Sequence, residues 1–262
     1  MMGNKGSYTV ITGASSGLGY EAAKAFAGRG SNLILAARRK DRMEDLRREI
    51  LEEHPALDVA VKVVDLSVPE NVVHFYEDVK GYPLGTWVNS AGFGNYGSVG
   101  SEKPGKLGRM LCLNVEALAI LSSLFVRDFK NVCGAQLINV SSCGGYTVVP
   151  DAVAYCGTKF FVSAFTEGLD LELKKEGAKM RAKVFAPAAT RTEFGKVAND
   201  VREYDYDRMF GKYHTAAQAA AFLLELYDSE KTVGLVDRED FSFILCEPRF
   251  PYAGESRCNQ KK

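Results

Sequence analysis

The seven residues after the apolar run Y-T-V-I-T read Gly13-Ala14-Ser15-Ser16-Gly17-Leu18-Gly19, and the helix-forming segment E-A-A-K-A-F-A follows. Three glycines there let a strand turn tightly into a helix, and they leave room for a ligand to approach the amides at the helix's positive end. A dinucleotide diphosphate fits such a turn. The alternation then repeats: N-L-I-L-A-A, a charged helix over 40–53, V-A-V-K-V-V, a helix after Pro69, T-W-V-N, a long helical stretch over 104–130, and Q-L-I-N-V. A helix from about Ala154 to Glu176, the strand M-R-A-K-V-F-A, the helix T-A-A-Q-A-A-A-F-L-L-E-L and the strand F-S-F-I-L-C complete it. Strands alternating with helices imply a parallel sheet covered on both faces, because right-handed crossovers must lie on each side. The expectation is one α/β domain over residues 1–262, a doubly wound sheet of about seven strands. Lys62 within the third strand places that strand at a sheet edge.

Charge excludes one class of partner. Thirty-three basic residues balance thirty-three acidic ones, so no general footprint for nucleic acid exists. The longest apolar stretch, over 110–126, contains Asn114 and Glu116, and no apolar signal segment precedes the first strand. A cytoplasmic protein without a transmembrane segment is expected. Six cysteines without a paired C-x-x-C or nearby histidines read as reduced thiols, and no metal site is expected.

Chemistry concentrates in residues 142–159, S-C-G-G-Y-T-V-V-P-D-A-V-A-Y-C-G-T-K. Tyr155 and Lys159 stand one helical turn apart and share a face. An ammonium beside a phenol favours the phenolate, so Lys159 is expected to pull the Tyr155 pKa down from about 10. Ser142 ends an apolar strand, where a hydroxyl faces the usual ligand crevice of such a sheet. Asn114 interrupts the apolar face of Leu107, Leu111, Leu118, Leu121 and Phe125, and a buried amide there needs a hydrogen-bond partner.

The glycine turn, Asn89-Ser90-Ala91-Gly92, Asn114, Ser142 and Tyr155-x-x-x-Lys159 occur in an order that resembles the short-chain dehydrogenase/reductase family, over about residues 8–228. The form T-G-x-x-x-G-x-G is similar to its shorter branch, and the wording to a DltE-like group. The resemblance implies a Rossmann-like fold and a nicotinamide cofactor on Gly13, Ser15, Ser16, Gly17, Leu18 and Gly19. It implies that Asp65 caps the adenine amino group, Leu66 lines its ring, and Asn89, Ala91 and Gly92 form a cofactor loop in which Ser90 replaces the family's second Asn. It gives Thr192 a nicotinamide contact after Pro187, where Ala188 replaces a glycine. Asn114 holds a water in line with Lys159, Lys159 holds the ribose, and helices pair between subunits in a homodimer or homotetramer.

The reaction expected is reversible hydride transfer between a nicotinamide and a small-molecule carbonyl or alcohol, with Tyr155 as acid-base and Ser142 bonding the substrate oxygen. The cofactor expected is NADP(H): Ala37 stands where the resemblance places an acid, and Arg38 and Arg39 follow, with Arg38 the stronger phosphate ligand and Arg39 either a second one or solvated. Two alternatives are a 3-oxoacyl-thioester reductase and a non-catalytic nucleotide-binding regulator, since a fold alone does not fix function. Phe93, Tyr96, Tyr146 and Phe194 could line an apolar pocket. Residues 191–213 are long for a connection and suit a substrate lid, whereas 247–262 form a tail of open role.

Overall fold

The computed structural model describes residues 6–253. Strand β1 (Tyr8–Thr12), helix α1 (Gly17–Gly28), β2 (Asn32–Ala37), α2 (Lys40–Glu53), β3 (Val59–Val63), α3 (Pro69–Val79) and β4 (Leu84–Asn89) follow the alternation read from sequence. Next come α4 (Pro104–Leu111) and α5 (Leu118–Phe129), continuous through a π-helical turn at Cys112–Ala117, then β5 (Gln136–Val140), α6 (Val153–Glu176) and β6 (Arg181–Ala186). The stretch expected as a lid holds β7 (Thr190–Arg191), α7 (Phe194–Asn199) and α8 (Tyr206–Phe210), and β8 (His214–Thr215) pairs with β7. Helix α9 (Ala216–Asp228), β9 (Val233–Val236) and β10 (Phe243–Cys246) end the described chain.

The sheet runs β10-β9-β6-β5-β4-β1-β2-β3, with β3 at the edge that Lys62 implied. It has eight strands, one more than expected. V-G-L-V at β9 is only four residues long and broken by Gly234, so no apolar run announces it. The F-S-F-I-L-C run supplies β10, which pairs antiparallel with β9 and so departs from the parallel expectation. Because β1 lies between β2 and β4, the chain reverses direction across the sheet there, and the helices that follow β1 and β4 pack on opposite faces, leaving a crevice at the carboxyl ends of the two strands.

Side chains alternate strictly through the central strands. Val10, Ile34, Trp87 and Leu137 face one layer with Phe75, Tyr76, Leu121 and Phe125, while Ile11, Leu33, Leu35, Val88 and Ile138 face α1, α2 and α9. One helical span among the described residues, Pro104–Phe129, is apolar and long enough by composition to cross a membrane. It lays Met110, Ala117, Leu121 and Phe125 into the core against the sheet. Helix α6 stops at Gly177, whose φ of 67° allows the Ala178 amide to donate back to the Leu173 carbonyl at 2.9 Å.

Three buried charged groups tie distant segments together. Lys183 donates to the carbonyls of Leu226, Tyr227 and Ser229 at 2.9, 2.8 and 2.6 Å, closing the C-terminal end of α9. Asp170, fully buried, pairs with Lys174 at 2.7 Å and Arg181 at 3.1 Å and accepts from the Thr232 hydroxyl at 2.6 Å. Glu167, also buried in α6, accepts from the Tyr146 hydroxyl and from the amides of Arg249 and Phe250 at 2.6 and 2.9 Å. Part of the tail of open role is therefore docked; its residues 254–262 lie outside those described.

Candidate active site

The crevice is built from the ends of β1 and β4. Thr12 Oγ1 accepts from the amides of Ser90 and Ala91 at 3.1 and 3.0 Å, pinning one loop to the other. They approach so closely that a Cβ at Gly13, φ 73°, would fall 2.8 Å from Ala91 Cα, and one at Gly19 would fall 2.5 Å from the Gly13 carbonyl oxygen. Only glycine fits either place. Ser16 stands extended at the N-cap of α1 and makes no cap bond, so the first-turn amides carry no side-chain cap. This cradle fits a diphosphate approaching the backbone.

Ser142 follows β5 and starts a short 3₁₀ turn; its Oγ accepts from the Gly144 amide at 3.1 Å and reaches the Tyr155 hydroxyl. Tyr155 and Lys159 are both buried on α6, with the Lys159 Nζ 5.8 Å from the Tyr155 ring centre. Lys159 donates to the Val140 carbonyl at 2.9 Å, which ties it to the end of β5. Asn114, in the π-helical turn, donates to the Phe93 carbonyl at 2.9 Å and to Thr158 Oγ1 at 3.1 Å, and accepts from the Phe93 amide at 3.1 Å. A Cβ at Gly92 would meet Asn114 Oδ1 at 3.1 Å and Lys159 Nζ at 3.6 Å, so Gly92 is the gap through which those two groups face the same loop.

The electrostatics correct one expectation. Burial pushes the Tyr155 phenol well above its ordinary value, Tyr96 adds to the rise, and the Ser142 hydrogen bond opposes it. Lys159 does not bring it down. Burial lowers Lys159 itself to about 8, and one of its three N–H groups goes to the Val140 carbonyl. The phenol is held protonated.

The remaining candidates divide by what they touch. Arg39 lies across the glycine turn, donating through Nε to Ser15 Oγ at 3.2 Å and through Nη1 to Glu193 Oε2 at 2.7 Å. Arg38 is 70% exposed and turns the other way, 3.9 Å from Asp65 along the groove beside β3. The Asp65 carboxylate accepts from the Ser67 amide and hydroxyl at 3.0 and 2.7 Å, entering α3 as a turn residue, and Leu66 is buried in the core. Asn89 points away from the crevice: its side chain bonds Trp87 Nε1 at 2.8 Å and Asn139 at 2.9 Å. Leu18 packs against the core, and the Pro187 carbonyl accepts from the Cys143 amide at 2.9 Å, holding the Ser142 turn. Thr192 packs against the glycine turn, where a Cβ at Gly17 would meet it at 3.0 Å.

Of the four aromatic candidates, Phe194 and Tyr96 stand over Tyr155, with ring centres 5.3 and 6.0 Å from it. Tyr146 turns instead to Glu167 and stacks on Phe250 at 5.5 Å. Phe93 contributes its backbone to Asn114. Two residues escaped the sequence reading as individuals: Thr12, which a hydroxyl ending a buried strand could have signalled, and Glu193, which nothing local marks.

The family model described as short chain dehydrogenase matches residues 7–203. An uncharacterized oxidoreductase of Staphylococcus saprophyticus is 28% identical over 209 residues, covering 79% of this chain and 83% of its own. A very-long-chain 3-oxoacyl-CoA reductase of Kluyveromyces lactis is 29% identical over 66% of this chain and 52% of its own. A short-chain dehydrogenase from Sphingobium yanoikuyae, solved in complex with NADPH, superposes with a TM-score of 0.79 at 28% identity, covering 87% of this chain and 86% of that one.

Proposed function

Because the chain belongs to the short-chain dehydrogenase/reductase family, an oxidoreductase family acting on CH–OH groups, we propose that it interconverts a ketone and a secondary alcohol with NADP(H), in a site built on Ser142, Tyr155 and Lys159. The observation that carries this reading is the meeting of those three side chains at the end of β5, next to the glycine cradle. When bound, the nicotinamide supplies or accepts the hydride. In reduction the Tyr155 hydroxyl passes its proton to the substrate oxygen, and Ser142 hydrogen-bonds that oxygen, stabilising the charge that develops on it. Lys159 holds the ribose and restores the tyrosine proton. Asn114 fixes the Gly92–Phe93 loop beside Lys159 and so keeps the relay aligned. Gly13, Ser15, Ser16, Gly17 and Gly19 cradle the diphosphate, Arg39 takes a 2′-phosphate, and Thr192 reaches the nicotinamide side. The NADPH complex of the Sphingobium relative supports the phosphorylated cofactor.

Reduction of a 3-oxoacyl thioester is a second reading, favoured by the name of the Kluyveromyces relative. A panel of bulky ketones, hydroxysteroids and 3-oxoacyl thioesters assayed with NADPH and NADH separates the two. No turnover of any of them, with cofactor still bound, would favour a nucleotide-binding regulator instead. The reading includes a cytoplasmic homodimer or homotetramer, supported by Leu111 and Phe161, which stay exposed on the outer faces of α4 and α6, with Phe161 stacked on Phe165 at 5.6 Å.

A further inference from the structure

Glu193 sits between β7 and α7, yet its carboxylate lies on the glycine turn. It pairs with Arg39 Nη1 at 2.7 Å, and Ser16 also helps to hold its pKa below the ordinary value. Desolvation alone would raise its pKa, but these two groups outweigh it and keep the group ionised. Arg39 meanwhile bonds Ser15 through Nε, so the fork that a phosphate would enter already carries an anion. The neighbours of Glu193 are placed by the same contact. Thr192 packs against Gly17, and Phe194 covers Tyr155 at 5.3 Å and crowds Gly94, where a Cβ would fall 2.8 Å from its ring.

We propose that Glu193 is a cofactor-selecting residue: its carboxylate stands in for a phosphate on Arg39, and a dinucleotide bearing a 2′-phosphate displaces it. This rests on the proposed NADP(H) site and adds the residue that competes for it. Both partners are more than two-fifths exposed, at 44 and 42%, so the pair is a weak one that a phosphate with two donors can replace.

The test is a set of equilibrium dissociation constants for NADPH and NADH, read from nucleotide fluorescence in the parent, Glu193→Gln, Arg39→Ala and the double variant. Removing the competing charge is expected to tighten NADPH about two- to five-fold, and NADH by less, because loss of an exposed ion pair is worth roughly that factor. With Arg39 already replaced, Glu193→Gln should change neither constant. Unchanged or weaker NADPH binding in Glu193→Gln, beside a parent that binds NADPH, overturns this inference alone. A parent that binds neither nucleotide overturns the proposed function together with it.

Discussion

Asn114 holds Phe93 by both ends of its peptide unit, accepting from the amide at 3.1 Å and donating to the carbonyl at 2.9 Å. A buried amide that closes two backbone groups is costly to remove, because each group left without a partner costs about 1–3 kcal/mol. Asn114→Ala is expected to lose about 2 kcal/mol in urea unfolding and to weaken NADPH binding as the Gly92 loop loosens. Unaltered stability would mean that water replaces the amide fully.

Tyr155→Phe keeps the ring that packs with Phe194 and Tyr96 and loses only the hydroxyl that meets Ser142. Turnover should fall about 10²- to 10⁴-fold, with the NADPH dissociation constant within about threefold of the parent's. Turnover equal to the parent's would remove Tyr155 from the chemistry.

The pH profile follows from Lys159. Burial lowers its pKa to about 8, so the ammonium is complete at pH 6–7 and is lost as pH rises through 8. Tyr155 is displaced upward and stays protonated across the same range. Carbonyl reduction should therefore be flat below about pH 7 and decline above 8, by about tenfold per unit at the far end. A rate that rises between pH 7 and 9 would place the controlling proton elsewhere.

Cofactor choice should depend on Arg39 more than on Arg38, since Arg39 lies on Ser15 and Arg38 faces solvent beside Asp65. Arg39→Ala is expected to reduce the NADPH-over-NADH ratio in kcat/KM about ten- to a hundred-fold, as for one charge-assisted contact. Arg38→Ala should shift it less. An NADH-preferring parent would refute both assignments.

Acid stability should report Asp170. Desolvation would raise its pKa, yet hydrogen bonds from Arg181, Lys174 and Thr232 hold it below the usual carboxylate range. A carboxyl depressed in the folded state stabilises above about pH 4 and loses that contribution as pH falls through its folded value. Asp170→Ala should cost about 3 kcal/mol at pH 7, near the low end for a broken buried pair because Lys174 and Arg181 keep contact with water. The gap between parent and variant should narrow as pH falls below the usual carboxylate range.

Much of this architecture was legible because it is periodic or local. The Tyr155–Lys159 turn, the bounds of α6 and the edge position of β3 come from spacing and from one lysine in a strand. The Asn89 side chain bonds Trp87 and Asn139 because it stands two residues after Trp87 and shares its core-facing side, a signal that strand period alone carries. Other features were out of reach. Which of two adjacent arginines lies on Ser15 depends on the twist at the end of β2, and Glu193 meets Arg39 from 154 residues away. The Tyr155 pKa moves up instead of down because desolvation, which no spacing reveals, outweighs the Ser142 hydrogen bond.

The Glu167 carboxylate receives the amides of Arg249 and Phe250, which follow it by 82 and 83 residues. During synthesis the helix carrying Tyr155 is made long before those amides leave the ribosome. Until then one oxygen of a buried carboxylate lacks its partners, a state that costs more than an ordinary unmade hydrogen bond. Helix α6 therefore reaches its final packing only once Arg249 and Phe250 are in place, and a nascent chain stalled before Arg249 should be protease-sensitive around Tyr146.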